Sequence, residues 1–136
     1  MSQLTVHFEK RAARLRDCAT IEVSEGQRAT THRLVPHNPS AVGVVMYVGR
    51  GGIGTIGLDD PASAPAELGE DMTLDLRAID SLIDLAVEGR ATAFHLARGG
   101  CIEVRGLNHE PRTWMNALPR PGWRRRAKRT DYAPYR

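Results

Sequence analysis

Residues 73–89, TLDLRAIDSLIDLAVEG, constrain the fold more than any other stretch, because they have a clear helical period. Their apolar side chains recur every three to four positions and fall on one face, namely Ala78, Ile79, Leu82, Ile83, Leu85 and Ala86. Thr73 or Asp75 can cap the start of this helix, and Gly89 supplies a left-handed stop. We therefore predict one long amphipathic helix whose apolar face packs on another layer of structure.

The first residues of the chain suggest a strand. Residues 3–8 alternate, with Leu4, Val6 and Phe8 on one side, which is typical of an edge or half-buried strand. Residues 9–17 are mostly charged, and their pattern fits either a short helix or a polar extension of that strand.

The middle of the chain predicts a meander of strands. Residues 19–24 and 27–35 are expected to pair around a two-residue Glu25-Gly26 turn. Residues 41–48, AVGVVMYV, are apolar on both faces, so we expect a central strand that is covered on both sides.

A glycine-rich loop follows that central strand. A four-residue loop at 49–52 would pair Val48 with Ile53 and Tyr47 with Gly54. The segment from 49 to 57 matches the pattern G-x-G-x-x-G twice, as a dinucleotide-binding loop does. No helix opens after it in sequence, however, so we predict a hairpin and no phosphate site here.

A second hairpin follows the helix. A three-residue Arg98-Gly99-Gly100 loop, with Gly100 left-handed, would pair Leu96 with Ile102. The same register would place His95 opposite Glu103 on the other face of the hairpin.

The remaining segments carry weaker patterns. Residues 59–71 hold two prolines and five carboxylates, which predicts a solvated connector. After Gly106 the pattern fades, and Trp114, Met115 and Leu118 suggest one short helical turn.

Together these segments predict an α+β fold, an antiparallel sheet of about five to seven strands with one main helix packed on one face. We expect residues 1–122 to form a single domain and residues 123–136 to form a basic C-terminal tail.

Composition excludes several classes of protein. No apolar run approaches the roughly 20 residues of a membrane-spanning helix, and the first residues lack a secretory pattern, so we expect a cytoplasmic protein. Cys18 and Cys101 are too few for a disulfide framework, and we expect reduced thiols. The histidines lack metal-binding spacing, and no catalytic constellation is evident, so we predict a non-enzymatic protein with no cofactor and no metal.

Charge is distributed unevenly along the chain. The net charge is +3, but residues 36–108 carry five Lys/Arg against ten Asp/Glu, whereas residues 109–136 carry eight against two. The body of the chain is therefore acidic and its C-terminal end is basic, so each is a candidate binding surface.

The acidic stripe, our name for Asp80, Asp84 and Glu88, follows one line of the predicted helix. Like charges at this i, i+4 spacing repel, and Arg77 relieves only one end. The stripe is either a solvated helix face or, together with Arg77, a docking face for a basic protein partner.

The C-terminal end combines cations with aromatic rings. Its candidate nucleic-acid-binding residues are Trp123, Arg124, Arg125, Arg126, Lys128 and Arg129. The same composition also suits a tail that folds back onto the acidic surface of the body.

The order of parts over residues 41–105 resembles that of a known family. The parts are a hydrophobic strand ending in Tyr47-Val48-Gly49, a glycine-rich hairpin, an acidic linker, a helix closing in LAVEGR at 85–90 and a Gly-Gly hairpin. Their order resembles that of the small α+β immunity proteins of actinobacterial polymorphic toxin systems. The resemblance implies a cytoplasmic, non-enzymatic inhibitor that sequesters a cognate toxin through the acidic stripe. The basic tail departs from this pattern.

The alternative to a toxin inhibitor is an accessory or regulatory protein that binds nucleic acid through the tail.

Overall fold

The computed structural model describes residues 2–106, 112–116 and 120–136, which form two antiparallel sheets and three helices. In chain order the elements are α1 (Gln3–Ala13), β1 (Ala19–Glu25), β2 (Ala29–Pro36), β3 (Val44–Gly49), β4 (Gly54–Leu58), β5 (Ala66–Leu68), α2 (Met72–Val87), β6 (Ala91–His95), β7 (Gly100–Val104), β8 (Arg112–Met115), α3 (Trp123–Arg126) and β9 (Lys128–Asp131). The predicted α+β class is confirmed, and the five-stranded antiparallel sheet with the main helix packed on it matches the prediction; the second, four-stranded sheet was not predicted.

The larger sheet, which we call sheet A, is a meander in the order β1-β2-β3-β4-β5. As predicted, β3 is central, since it pairs with β2 and β4. The prediction that both of its faces are covered is wrong at Tyr47, which is 46% exposed on the outer face. The inner face of sheet A presents His32, Leu34, Met46 and Ile56, all of them at most 1% exposed. Helices α1 and α2 both pack on sheet A.

The N-terminal segment is a helix rather than the predicted strand. Leu4, Phe8 and Ala12 are spaced by one helical turn and are buried, whereas Val6, which an alternating strand would bury with Leu4, is 49% exposed. Ser2 caps the helix by accepting a hydrogen bond from the Thr5 N–H. The spacing of Leu4 and Phe8 fits the period of a helix and the alternation of a strand, so the alternation alone does not distinguish the two.

The main helix α2 lies close to its predicted position. Its N-cap is Asp71, whose side chain accepts from the Leu74 N–H, in place of the predicted Thr73 or Asp75. The Asp75 carboxylate is buried because it accepts the Gly69 N–H at 2.8 Å. Gly89 has φ +67°, so the left-handed stop is confirmed.

The register of the β3–β4 hairpin differs from the prediction by one residue. Val48 lies opposite Gly54, and Met46 lies opposite Ile56, with both Met46 and Ile56 in the core. The loop is residues 50–52, with Gly52 at φ +80°, and the Gly49 N–H bonded to the Ile53 carbonyl closes it. This three-residue loop replaces the predicted four-residue loop, because the observed register buries the side chains of Met46 and Ile56 together. The β1–β2 turn is likewise displaced, and residues 27–28 form it.

The β6–β7 hairpin also differs from the prediction. Ala93 lies opposite Ile102, and Glu103 lies opposite Thr92, so His95 does not face Glu103. Gly100 belongs to β7 rather than to the loop, since it pairs with His95 of β6. The left-handed glycine is Gly99, with φ +86°, instead of the predicted Gly100. The loop is residues 97–98, closed by the Leu96 N–H bonded to the Gly99 carbonyl.

The second sheet, sheet B, has the order β8-β7-β6-β9. Strand β9 comes from the predicted tail, so the boundary at residue 122 does not separate a tail from the domain. The predicted helical turn at Trp114 and Met115 is strand β8, and Leu118 lies outside the described residues. Part of the predicted connector is also ordered: residues 66–68 form β5, and Ala62 is fully buried.

Candidate functional site

The acidic stripe lies on α2 beside α1, and α1 supplies its counter-charges. Arg11 places Nη1 2.6 Å from Asp80 Oδ1 and Nη2 2.5 Å from Asp84 Oδ1, while His7 Nε2 lies 2.8 Å from Asp80. Partial burial raises the pKa of Asp80, but the hydrogen bonds from His7 and Arg11 outweigh it and hold this pKa below its usual value. Arg11 thus relieves the repulsion that the spacing of the stripe implies.

The far end of the stripe has its own cation. Arg90 Nε lies 2.6 Å from Glu88 Oε2. The side chains of Asp84 and Glu88 remain 50% and 55% exposed despite these pairs. Arg77, the fourth predicted partner-binding residue, is exposed and forms no ion pair with any residue that the structure describes.

Replacing Arg11 with Ala is expected to lower the free energy of unfolding by about 1 kcal/mol, because it removes two charge-assisted hydrogen bonds at a partly exposed site and leaves Asp80 and Asp84 to repel each other. Urea unfolding followed by circular dichroism measures this change. Arg14→Ala on the same helix is the control, with an expected change of less than about 0.5 kcal/mol. Equal losses in the two variants would contradict the role given to Arg11.

Three of the predicted nucleic-acid-binding residues, Trp123, Arg124 and Arg129, contact Phe94 on one face of sheet B. The Trp123 ring makes edge contacts with Trp114 at 4.9 Å and with Phe94 at 5.3 Å between ring centroids. The Arg124 guanidinium lies over Trp123 and Phe94, and it forms an ion pair with the buried Glu103 carboxylate. Trp123 and Arg124 therefore attach α3 to sheet B.

Two of the predicted cations are engaged within the protein. Arg129 lies over the Phe94 ring at 5.8 Å and pairs with Asp131 at 3.1 Å. The pKa of Asp131 is lowered, mainly by the hydrogen bond from Thr92 and further by the hydrogen bond from Arg129. Together these bonds outweigh the opposite effect of partial burial. Arg124 and Arg129 thus have acidic partners, which leaves the other cations as the candidates for an external anion.

A hollow of about 540 Å³ lies beside α3, and we call it the basic hollow. Its lining includes three arginines and one tryptophan, namely Arg98, Arg120, Arg126 and Trp123. Arg98, Arg120 and Arg126 form no ion pair with any part of the chain described. Arg125 and Lys128 are exposed and form none either, but they do not line the hollow.

Sequence reasoning missed Arg98 and Arg120, because both lie outside the basic run at 123–129. Arg98 reaches the hollow through the β6–β7 loop, and Arg120 lies just before α3. Guanidinium groups bind phosphate oxygens in a bidentate manner, and an aromatic ring offers a stacking surface for a base. The basic hollow therefore combines the two chemistries that a single-stranded nucleic acid requires.

His95, predicted to face Glu103, instead contacts the buried carboxylate of Asp60. His95 Nε2 lies 2.8 Å from Asp60 Oδ1, the Tyr132 hydroxyl donates to Oδ2, and the Ala62 N–H donates to Oδ1 at 2.7 Å. Burial and the neighbouring Asp60 raise the pKa of Tyr132 well above its usual value. This cluster joins the 59–65 segment, β6 and the C-terminal residues.

His32 is 1% exposed on the inner face of sheet A, and burial lowers its pKa despite Glu9 at 3.8 Å. The unfolded chain therefore binds a proton at this histidine more tightly than the folded chain does. We expect the His32 contribution to the free energy of unfolding to be present above about pH 6.5 and to decrease as the pH falls below it.

Urea unfolding at a series of pH values tests this dependence. The decrease below about pH 6.5 should be smaller in His32→Gln, which cannot titrate. An unchanged pH profile in this variant would show that His32 does not contribute. His37→Gln, at an exposed strand end, is the matched control.

The described residues contain no cluster of three or more His, Cys, Asp or Glu side chains suited to a metal ion. Cys18 and Cys101 are both buried and free. None of the helices over the described ranges is long and apolar enough to cross a membrane. Comparison with protein-family models, with curated proteins and with solved structures finds no match to this chain.

Proposed function

We propose that the protein is a non-enzymatic, nucleic-acid-binding accessory or regulatory protein of the cytoplasm, and that it holds single-stranded nucleic acid at the basic hollow. The observation that carries the proposal is the convergence of Arg98, Arg120 and Arg126 with Trp123 on one hollow. Two of these arginines come from outside the basic run at 123–129, so the cluster is a product of the fold and not of composition alone.

The pairing of charges supports the same surface. Two acidic residues of sheet B, Glu103 and Asp131, pair with Arg124 and Arg129. The three arginines of the hollow, Arg98, Arg120 and Arg126, have no such partner among the described residues, so their charge remains for a polyanion. Neutralising phosphates with such cations releases counterions and supplies most of the affinity of non-specific binding.

The rigidity of the surface favours binding as well. Trp123 is held against Trp114 and Phe94, and α3 is fixed to sheet B by Arg124. A side chain that is already ordered loses less rotamer entropy on binding than a free tail would. Trp123 also lines the hollow, so an aromatic ring borders the space between the three arginines.

Charge reversal tests the proposal. The double variant Arg98→Glu, Arg126→Glu is expected to bind a fluorescein-labelled oligothymidylate of about twelve nucleotides at least a hundredfold more weakly than the natural protein, because each reversal removes a phosphate contact and adds repulsion. Fluorescence anisotropy measures the affinity, and circular dichroism verifies folding.

The matched control is Arg14→Glu, Arg28→Glu, which changes net charge by the same amount at exposed positions outside sheet B. We expect it to weaken binding by less than about threefold. Equal weakening in the two double variants would show that only net charge matters, and the proposed site would be wrong.

A second candidate function is a protein-binding module, in particular an immunity-type inhibitor of a toxin that docks on the acidic stripe. The half-exposed carboxylates of Asp84 and Glu88 favour this second function, since the ion pairs with Arg11 and Arg90 leave them accessible to a partner. A stoichiometric protein partner that survives nuclease treatment, and that Glu88→Arg releases while Glu70→Arg retains, would support this candidate. Retention of that partner by Glu88→Arg would exclude the stripe.

A further inference from the structure

The outer edge of β1 is a feature of sheet A that the proposed function does not use. Strand β1 stands at the end of the order β1-β2-β3-β4-β5 and has seven residues. The other edge strands over the described ranges, β5, β8 and β9, have three or four residues each. Short edge strands, prolines and lysines protect a sheet from pairing with another chain. Strand β1, ATIEVSE, has none of these devices, so its edge can accept a further strand.

The hydrogen bonds of the β1–β2 hairpin determine which backbone groups of β1 point outward. The Cys18 carbonyl accepts from the His37 N–H at 2.8 Å. Residues along an antiparallel strand alternate between bonding to the neighbouring strand and facing away from it, so the even-numbered residues of β1 bond to β2. The N–H and C=O groups of Ile21 and Val23 therefore point away from β2. They have no hydrogen-bond partner among the residues that the structure describes.

The side chains of Ile21 and Val23 line a groove beside α1. Ile21 lies opposite Leu34 and Val23 lies opposite His32, so both are on the inner face of sheet A. They are nevertheless 36% and 49% exposed, because α1 does not cover the edge of the sheet. The groove between α1 and β1 has a volume of about 460 Å³, and α1 contributes alanines to its lining. Exposed apolar side chains next to an unpaired strand edge are typical of a surface to which another strand adds.

Opposite charges lie at the two ends of this groove. Glu9 is at the Val23 end, since its carboxylate is 3.8 Å from His32, the partner of Val23. Arg16 is at the other end, near Ala19, where the chain enters β1. Arg16 is exposed and forms no ion pair with any described residue. A twofold axis through the middle of the strand exchanges the two ends, so Glu9 of one copy meets Arg16 of the other. The charges of the groove therefore complement those of a second copy of the same chain.

We propose that the β1 edge is a dimerisation surface, on which β1 of a second copy adds antiparallel and continues sheet A across the dimer. The register has Ile21 opposite its counterpart and Ala19 opposite Val23, which buries the exposed apolar side chains together. The same register sets Thr20 opposite Glu22. A shift that set Glu22 against its own counterpart would bring like charges together.

Sedimentation equilibrium of the full chain tests the proposal. We expect the average mass to rise from one chain to two between about 1 and 200 µM. Ile21→Lys, which places a charge in the middle of the interface, should weaken association by at least about tenfold. Leu74→Lys adds the same charge at an exposed apolar position on α2 and should weaken it by less than about twofold. Circular dichroism verifies that both variants fold.

Exchange of the groove charges tests the twofold arrangement. Arg16→Glu should weaken association by at least about fivefold, because it brings two carboxylates together at each end of the interface. The double variant Glu9→Arg, Arg16→Glu should recover association to within about threefold of the natural protein, since the charges remain complementary. Arg14→Glu is the control outside the groove and should have no effect. Failure of the double variant to recover would overturn the twofold arrangement.

Amide hydrogen exchange locates the interface within β1. The N–H groups of Ile21 and Val23 should exchange freely at about 1 µM and become protected at about 200 µM, whereas that of Glu22, which bonds to β2, should be protected at both concentrations. Mass spectrometry with residue-level fragmentation measures this difference.

Three results would overturn the proposal. They are a chain that stays monomeric up to about 200 µM, a dimer that Ile21→Lys leaves intact, and exchange at Ile21 that does not depend on concentration. The first result would leave the edge for an extended segment of another protein. None of these results bears on the basic hollow, because none of its lining residues belongs to sheet A.

Discussion

A chain that ends at Gly122 is expected to lose its cooperative fold, not merely a tail. Strand β9 pairs with β6 and protects an edge of sheet B. The Tyr135 ring is 4% exposed, and its hydroxyl donates to the Val42 carbonyl at 2.8 Å in the core. Removing one such aromatic ring costs about 3–5 kcal/mol.

The truncation removes further contacts as well. It deletes the Tyr132 hydroxyl bond to Asp60 and the ion pair of Arg136 with Asp17 at 2.8 Å. The combined loss is comparable with the roughly 5–15 kcal/mol that stabilises a domain. Urea unfolding of the shortened chain should therefore show no cooperative transition.

A chain that ends at Tyr135 is the control for this truncation. It lacks only Arg136, whose ion pair with Asp17 is exposed, and it should unfold at nearly the same urea concentration as the natural protein. A cooperative transition of undiminished stability in the chain ending at Gly122 would show that residues 123–136 are a separate tail.

Asp60→Ala is expected to lower the free energy of unfolding by about 3–5 kcal/mol. The Asp60 carboxylate is buried and accepts from His95, Tyr132 and the Ala62 N–H. The substitution leaves these donors without their acceptor at a position where the Asp60 side chain is 1% exposed. Thermal and urea unfolding give the change.

The neighbouring Asp59 provides a matched control. Its side chain is 44% exposed and lies 3.5 Å from Arg33, which is a surface ion pair. Asp59→Ala should therefore cost less than about 1 kcal/mol. Similar losses for the two adjacent aspartates would contradict the structural role of Asp60.

Local patterns in the sequence were sufficient for α2 and β3. The period of α2 is helical over four turns, and β3 has apolar side chains on both faces, so each pattern permits one interpretation. The pattern of residues 3–8 permits two, because Leu4 and Phe8 lie on one face of either a strand or a helix. The helix is selected by tertiary contacts of Ala12 and by the cap at Ser2.

The registers of the hairpins and the role of the C-terminal end depended on long-range contacts. A shift of one residue exchanges the faces of a strand, and glycine-rich loops do not fix their own length. Strand β9, KRTD, has no apolar alternation, and it forms because β6 offers an unpaired edge. Sequence reasoning identified Trp123 and Arg126 for the candidate site, but Arg98 and Arg120 join them only through folding.

The salt dependence of oligonucleotide binding tests the central claim most directly. The three arginines of the basic hollow should give a slope of about −2 in a plot of log K against log salt concentration, since each phosphate contact with a single strand contributes about −0.7. The Arg98→Glu, Arg126→Glu variant should give a shallower slope. Absence of binding at about 50 mM salt, or a slope near zero, would contradict the proposal that the basic hollow holds nucleic acid.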